Sequence, residues 1–218
     1  RVKNYGEVAL GYTPELAHEE ASRCLKCPGR YCSESCPAHV PTTEFIALVR
    51  AGDYQGAYEL ISEKNALPAI TGRVCAQERQ CELNCTRGIR GESVSIGRLE
   101  AFVADWHAKN GEPLPAAPDN GVAVAVAGSG PAGLACADDL SRAGYRVTVY
   151  EAKPFLGGIP VYGIPGFVLP NAVVDWKLEE MKARGVEFKA GVKVGADITV
   201  EELCGKYKAV FVATGASK

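Results

Sequence analysis

The sequence contains no run of apolar residues long enough to span a bilayer. Its first residues, RVKNYGEVALGY, lack the basic and then apolar pattern of a secretory signal peptide. Neither sign of charge is in excess, because 24 Lys and Arg residues stand against 26 Asp and Glu residues, for a formal net charge of -2. These absences argue against a membrane protein and against a nucleic-acid partner, and they predict a cytoplasmic protein.

Cysteine is the residue type that stands out. Seven of the 9 cysteines lie between Arg23 and Glu100. These seven are Cys24, Cys27, Cys32, Cys36, Cys75, Cys81 and Cys85. In a reducing compartment such a dense set of thiols binds metal more often than it forms disulfides. The other two, Cys136 and Cys204, fall in predicted helices and are expected to be small buried side chains.

The spacing of the seven cysteines indicates iron–sulfur clusters. The first four follow C-x2-C-x4-C-x3-C-P, close to the C-x2-C-x2-C-x3-C-P run of bacterial ferredoxins, whose fourth cysteine binds a second cluster. Two cubane clusters need eight ligands, so seven thiolates leave one place for another residue. Glu100, one helical turn after Ile96 on a predicted buried stripe, is the candidate. A structural zinc site and disulfides remain the alternatives.

The first half of the chain shows helical periodicity and no convincing strand. Helices are predicted over residues 13–27, 43–51 and 53–64 and from about residue 95, with loops over 28–41 and 66–91. The stretch from Gly111 to Gly121 carries three prolines and is interpreted as a linker. The helical domain is therefore placed at residues 1–112, the linker at 113–121 and a second domain at 122–218.

The second half alternates strands and helices, which is typical of an α/β fold. Strands are predicted over residues 122–127, 146–150, 186–194 and 209–213, and helices over 131–143 and 171–184. Thr199 and Glu202 have the spacing of a capping box for a further short helix.

A glycine-rich loop follows the first predicted strand. It consists of Gly128, Ser129, Gly130, Pro131, Ala132 and Gly133, which fit G-x-G-x-x-G. Such a loop turns tightly, lets a pyrophosphate approach the backbone and sets it on the N-terminus of the next helix. Glu151, at the end of the next strand, is the expected acceptor for ribose hydroxyls. An acidic residue there favours FAD or NAD over NADP.

The order RCLKC, CP, GRVCAQERQCELNC, IGRLEAF, AVAGSGPAGL, YEA, YGIP and ATG resembles the small chain of glutamate synthase. It is at least as similar to the large subunit of NADH-dependent ferredoxin:NADP oxidoreductase, and the N-terminal part of dihydropyrimidine dehydrogenase shares the pattern. The resemblance implies a multidomain chain, with an all-α N-terminal iron–sulfur domain followed by an incomplete Rossmann-like FAD domain. The chain starts at Arg1 and lacks the family's second G-x-G-x-x-G, so an N-terminal fragment is expected.

The resemblance also implies ligand sets. Cys24, Cys27, Cys32 and Cys85 would hold one [4Fe-4S] cluster, and Cys36, Cys75, Cys81 and Glu100 the other, the last position being Glu or Gln in the family. The expected FAD site combines the glycine loop, Glu151, Ala152, Lys153, Gly157, Gly158, Tyr162, Ile164, Val194, Ala213, Thr214 and Gly215.

The implied activity is an NAD(P)H-dependent oxidoreductase in which FAD receives a hydride and the clusters pass single electrons onward. NAD(P)H would bind only the intact protein, and the fragment alone is expected to be inactive. Implied partners are a second oxidoreductase subunit (the glutamate synthase large chain or a ferredoxin-linked flavoprotein) and ferredoxin. No side chain is expected to act as a catalytic acid or base. A zinc-stabilised interaction module is the alternative from a different functional class.

Overall fold

The computed structural model describes residues 4–216, so residues 1–3 and 217–218, the outer ends of the two predicted domains, lie outside the described residues. The chain divides into two compact units. The first comprises Arg1–Glu112 together with Phe167–Leu169, and the second comprises Pro113–Gly166 and Pro170–Lys218.

The first unit is built from helices, and its described residues contain no strand. The helices are α1 (Pro14–Ser22), α2 (Tyr31–Glu34), α3 (Thr42–Ala51), α4 (Tyr54–Ser62), α5 (Pro68–Val74) and α6 (Ile96–Asn110). Two short 3-10 helices, Gln77–Arg79 and Thr86–Ile89, lie between α5 and α6. Buried side chains from α3, α4 and α6, among them Phe45, Ile61 and Leu99, form its core.

Helix α1 starts where predicted and ends earlier. The Oγ1 of Thr13 accepts a hydrogen bond from the backbone N–H of Leu16, and Pro14 occupies the first turn. The helix ends at Ser22, so the prediction that it reaches Cys27 is wrong. Lys26 adopts a φ of 51°, in the left-handed region that no α-helix continues through. The first two cysteines therefore lie on a loop.

Helix α5 lies inside the stretch that was predicted to be a loop. It packs against α6, and Gly72 allows the close approach, because a Cβ on that residue would lie 2.6 Å from the backbone nitrogen of Ala101. The glycine lowers helix propensity in the sequence while the packing that it permits stabilises the helix in the fold.

The second unit is an α/β structure around a four-stranded parallel sheet with strand order β3-β2-β1-β4. Its strands are β1 (Ala123–Ala127), β2 (Arg146–Glu151), β3 (Glu187–Ala190) and β4 (Ala209–Val212). Its helices are α7 (Pro131–Arg142), α8 (Ile159–Tyr162), α9 (Asn171–Ala183) and α10 (Val200–Lys206). Strand β1 is central, with Val126 opposite Val149 and Phe211. The parallel sheet with helices agrees with the α/β expectation.

Most predicted elements of this unit are present with small shifts at their ends. The capping box of α10 is complete, since Thr199 accepts from the Glu202 backbone and Glu202 accepts from that of Thr199. The strand predicted over 186–194 stops at Ala190, and Val194 forms only an isolated bridge with Ile198. Cys136 is half-buried and Cys204 is exposed, so the expectation that both are buried is wrong.

A buried group of charges joins α7 to α9. Asp138 on α7 is fully buried, and its Oδ1 lies 2.8 Å from the Nζ of Lys177 on α9 and also pairs with Arg184. Removing one partner of such a buried set costs about 3–5 kcal/mol. These charges thus hold α7, whose first turn contains the end of the glycine loop, against α9. In the described part of the chain, no helix combines the length and the apolar character needed to cross a membrane.

Candidate functional site

Four cysteines from two distant stretches line one cavity in the helical unit. Cys24 and Cys27 lie on the loop after α1, Cys32 lies on α2, and Cys85 precedes the second 3-10 helix. The cavity is partly open to solvent. Apolar side chains, including those of Ile46, Val94 and Ile96, complete its wall. These four cysteines, the first cysteine set, are the ligands that the resemblance implies for one cluster.

Members of the first cysteine set lie close enough together to affect one another electrostatically. Burial raises the pKa of Cys24, and the neighbouring Cys85 and Cys27 raise it further. Burial also raises the pKa of Cys32, with Cys24 and Cys85 adding to the effect. The thiol of Cys27 donates a hydrogen bond to the Oγ1 of Thr86 at 3.2 Å. Thiols crowded in this way ionise when a metal supplies compensating positive charge, and metal binding then releases their protons.

The remaining three cysteines share an environment with Glu100. Burial raises the pKa of Cys75 to about 11, and the charges of Glu100 and Cys36 act in the same direction. Burial raises the pKa of Cys81 to about 12, with further contributions from Glu82, Glu100 and Cys36. Cys36, Cys75, Cys81 and Glu100, the second ligand set, match the group that the resemblance implies for the other cluster.

Glu100 itself is held by hydrogen bonds from two neighbouring side chains. Its Oε1 accepts from the Nδ2 of Asn65 at 2.9 Å and from the Oγ1 of Thr71. Burial raises the pKa of Glu100 to about 7, and these two donors oppose the rise. The carboxylate is thus part-buried, and an additional positive partner would stabilise its ionised form.

Among the residues that the structure describes, no three or more His, Cys, Asp or Glu side chains are grouped so that they could hold a metal ion. The four ligands of a cubane bind four different irons, so they surround a volume and do not converge on one point. Each of the two sets offers a cluster the soft thiolate donors that it needs, and the second adds one carboxylate.

In the second unit, the glycine loop joins β1 to α7 and lies at the carboxyl ends of the parallel strands. Gly128 has a φ of 109°, and a Cβ there would lie 2.2 Å from the carbonyl oxygen of Ala213. A Cβ on Gly133 would lie 1.9 Å from the carbonyl oxygen of Gly128. Gly130, which caps α7, differs because a Cβ there would meet no atom within 4 Å. The open space at Gly130 fits the approach of a pyrophosphate to the start of the helix.

Glu151 is buried at the end of β2 and organises the loops around it. Its Oε2 accepts from the backbone N–H and the hydroxyl of Ser129, at 2.9 and 2.6 Å, and its Oε1 accepts from the backbone N–H of Lys153 at 2.9 Å. Although burial opposes it, this set of donors lowers the pKa of Glu151. The carboxylate is therefore ionised at neutral pH, and Oε1 retains acceptor capacity for a ribose hydroxyl.

The second glycine pair packs on the first loop. The backbone N–H of Gly157 donates to the Oγ of Ser129 at 3.0 Å, and a Cβ on Gly158 would lie 2.7 Å from the Cα of Gly130. Tyr162 in α8 hydrogen bonds through its hydroxyl to the backbone of Phe155, and the Nζ of Lys153 lies 4.3 Å from the centre of its ring. Ala152 follows β2 directly, and Ile164 follows α8 and is half-buried.

Of the remaining residues predicted for the FAD site, the segment after β4 lies beside the glycine loop and Val194 does not. The backbone N–H of Ala213 donates to the carbonyl of Ala127, which places the segment Ala213, Thr214 and Gly215 beside the loop. Val194 packs against a buried group formed by Ala125, Tyr150 and Leu203. Its side chain thus has a place in the core of the unit, and its contact with FAD stays a prediction.

Sequence patterns missed three residues that act on the predicted ligands. They are Asn65 and Thr71, which bond to Glu100, and Thr86, which bonds to Cys27. The one available signal was their placement: Thr71 lies one helical turn before Cys75, and Thr86 follows Cys85 directly. Since α5 was not predicted, the sequence did not show that Thr71 faces α6.

Two family profiles match the chain. The family described as dihydropyrimidine dehydrogenase domain II, 4Fe-4S cluster, matches residues 1–112. The NAD(P)-binding Rossmann-like domain matches residues 126–172. The first covers the helical unit with all seven clustered cysteines, and the second covers the glycine loop through the start of α9.

Several curated proteins are similar over essentially the whole chain. The protein AegA of Escherichia coli K12, named as an oxidoreductase, is 41% identical over 99% of this chain and 33% of its own length. The NAD-dependent dihydropyrimidine dehydrogenase subunit PreT of Salmonella typhimurium is 38% identical, over 99% of this chain and 52% of its own. The glutamate synthase [NADPH] small chain of Halomonas elongata is 37% identical, over 100% and 47%.

The chain spans between a third and about half the length of these relatives. Among solved structures, histamine dehydrogenase from Rhizobium sp. 4-9 matches with a TM-score of 0.38 and 32% identity, over 53% of this chain and 18% of that one.

Proposed function

Because the chain belongs to the family of dihydropyrimidine dehydrogenase domain II, 4Fe-4S cluster, we propose that its helical unit holds two [4Fe-4S] clusters. The observation that carries this proposal is the cavity in which Cys24, Cys27, Cys32 and Cys85 meet. These residues come from stretches more than fifty residues apart, and the fold brings them to one wall.

The two ligand sets divide the eight donors without overlap. The first cysteine set provides four thiolates for one cluster, and Cys36, Cys75 and Cys81 with Glu100 provide three thiolates and a carboxylate for the other. The raised pKa values of Cys24, Cys32, Cys75 and Cys81 support this division, since the cysteines that contribute to each shift belong to the same set. The carboxylate ligand makes the second cluster chemically different from the first.

We propose further that the second unit binds FAD at the glycine loop. The open space at Gly130 and the N-terminus of α7 support the diphosphate, and the ionised Glu151 supports the ribose and disfavours a 2′-phosphate. The remaining contacts are proposed for Ala152, Lys153, the Gly157–Gly158 pair, Tyr162, Ile164, Val194 and the segment Ala213 to Gly215.

The protein is proposed to be part of an NAD(P)H-dependent oxidoreductase. When bound, the flavin and the clusters supply the redox chemistry, which exchanges the electron pair of a reduced nicotinamide for single electrons. The contribution of this chain is to bind and orient these groups. The cysteine thiols release their protons when metal binds, and the Ser129–Glu151 pair fixes the two glycine loops against each other.

The partner is proposed to be a second oxidoreductase subunit. PreT and the glutamate synthase small chain are named as a subunit and a chain of larger enzymes, and both resemble this chain to nearly the same extent. Dihydropyrimidine dehydrogenase, glutamate synthase and ferredoxin-linked partners are therefore distinguished by which subunit co-purifies with the protein, not by this sequence.

The test is the metal content of the protein prepared without oxygen. We expect about eight iron and about eight acid-labile sulfide atoms per chain. The substitution Glu100→Ala is expected to lower both to about four, because only the second ligand set loses a member. Zinc in place of iron would contradict the proposal and favour a metal-stabilised interaction module. Two unchanged cluster signals in Glu100→Ala would contradict the assignment of Glu100.

A further inference from the structure

Two side chains hold Glu100 from one side. The Nδ2 of Asn65, which follows α4, lies 2.9 Å from Glu100 Oε1. The Oγ1 of Thr71, on α5, bonds to the same oxygen. In the described part of the chain no hydrogen bond engages Oε2 of Glu100. The two donors therefore fix which oxygen of the carboxylate remains available.

The backbone fixes the orientation of the Asn65 amide. Its Oδ1 accepts from the backbone N–H of Leu67 at 3.1 Å, so its Nδ2 must face the other way, toward Glu100 Oε1 and toward Thr71 Oγ1 at 2.7 Å. A carboxamide oxygen accepts and its nitrogen donates. Asn65 in this position can therefore only donate to residue 100.

The hydroxyl of Thr71 has a choice of acceptors. It lies 3.0 Å from the carbonyl oxygen of Leu67 and also contacts Glu100 Oε1, while it accepts from Asn65. A hydroxyl has one proton, and a bond to an ionised carboxylate is about twice as strong as a bond to a neutral carbonyl. Thr71 thus donates to Glu100 as long as residue 100 carries the charge.

We propose that Asn65 and Thr71 are positioning residues that turn Glu100 so that Oε2 is presented to the second cluster. This inference rests on the proposed role of Glu100 as an iron ligand. Thr71 stands one helical turn before Cys75, so the same contact ties α6, which carries Glu100, to the helix that delivers a cysteine of the same set. Partners of this kind typically account for about 10- to 100-fold in metal affinity.

The decisive experiment exchanges the donor and acceptor roles of residues 65 and 100. In Glu100→Gln, the new amide can offer its carbonyl oxygen to iron only if its Nε2 faces Asn65 Nδ2. Two donors then face each other without an acceptor between them. In Asn65→Asp, two carboxylates face each other. In the double variant N65D/E100Q, the carboxylate introduced at position 65 accepts from both Leu67 and the amide of residue 100, and Thr71 can turn its proton to Leu67.

The measured quantity is the rate at which a chelator removes iron from each cluster. The reduced clusters are followed by electron paramagnetic resonance, and iron and sulfide are counted per chain. We expect each single variant to lose the second cluster about 10- to 100-fold faster than the wild-type protein, and the double variant to recover most of that loss. The first cluster is the internal reference and should keep its rate in these three variants.

A second pair of variants tests the hydroxyl. Thr71→Val removes it at nearly constant volume and should speed loss of the second cluster about tenfold, whereas Thr71→Ser retains it and should not. Thr86→Val is the matched control, since it removes a hydroxyl beside Cys27 of the first cysteine set and should leave the second cluster unchanged.

The outcomes separate this inference from the function on which it rests. Two intact clusters in Glu100→Ala would overturn the ligand assignment itself. Loss of the second cluster in Glu100→Ala, with no recovery in N65D/E100Q and a wild-type rate in Thr71→Val, would overturn the positioning role alone. Circular dichroism of the metal-free chains shows whether a variant folds. If the double variant does not fold, the comparison of Thr71→Val with Thr71→Ser tests the positioning role.

Discussion

At the scale of single residues, the glycines around α7 fall into two kinds. Gly128 and Gly133 are required by the protein itself, because a Cβ on either would collide with backbone oxygens. Gly130 has a φ of -67° and open space around it, so nothing in the chain forbids a side chain there. The proposed FAD diphosphate, which must approach the backbone, would account for the absence of a side chain at Gly130.

This difference predicts opposite effects for two alanine substitutions. Gly130→Ala should change the free energy of unfolding by less than about 0.5 kcal/mol and weaken FAD binding, because the methyl group occupies the proposed diphosphate position. Gly133→Ala should destabilise the chain by about 1–3 kcal/mol through overpacking. Urea unfolding and flavin titration measure the two quantities. Unchanged flavin affinity in Gly130→Ala would contradict the proposed site.

The proposed ligands can be named from the sequence alone, whereas the residues that support them cannot. Cysteines are recognisable by type and spacing, and the count of seven thiolates led to Glu100. Asn65 and Thr71 are ordinary polar residues, and their role exists only once α4, α5 and α6 are packed together. Their contribution depends on tertiary structure, which the local pattern does not contain.

At the scale of elements, the contact between α5 and α6 supports the second ligand set. Cys75 directly follows α5, and Glu100 lies on α6. Gly72 is the point of closest approach, with the backbone of Ala101 at 2.6 Å and that of Gly97 at 2.9 Å from the place where a Cβ would lie. A side chain at this point must push the two helices apart.

Gly72→Ala is therefore expected to destabilise the helical unit by about 1–3 kcal/mol and to lower the occupancy of the second cluster more than that of the first. Iron analysis and spin resonance of the two clusters check this. Gly205→Ala is the matched control, because Gly205 lies in α10 and a Cβ added there would meet no atom within 4 Å. It should stabilise its helix by up to about 1 kcal/mol. Equal loss of both clusters in Gly72→Ala would contradict the role of this contact.

Elements were predictable where one local signal dominated. Strand β1 is a continuous apolar run, and α10 has a complete capping box, so both were found. Helix α5 was missed because it has only seven residues, of which Thr71 and Gly72 have low helix propensity, and the helix is stabilised by its packing on α6. The end of α1 was misplaced because nothing in the sequence marks Lys26 as left-handed.

At the scale of the whole chain, the two units should respond differently to metal removal. The proposed ligands all lie in the helical unit, and the seven cysteines among them fall within residues 23–41 and 75–95. Extraction of iron by a chelator should therefore abolish amide protection over residues 23–41 and 75–95 and leave that of the parallel sheet unchanged. Hydrogen exchange measured by mass spectrometry resolves these segments. Equal loss of protection in the sheet would contradict this expectation.

The loop that carries the first cysteines has a further consequence. Lys26, Arg30 and His39 adopt φ values of 51°, 45° and 53°, which costs a residue with a side chain about 1–2 kcal/mol each. Lys26 and Arg30 are also exposed, and their backbone is a site at which trypsin-like proteases cut once a loop opens. Oxidative loss of the proposed cluster would leave the strained loop free to relax and would expose these two bonds. Damage to the cofactor would thereby mark the polypeptide for its own degradation.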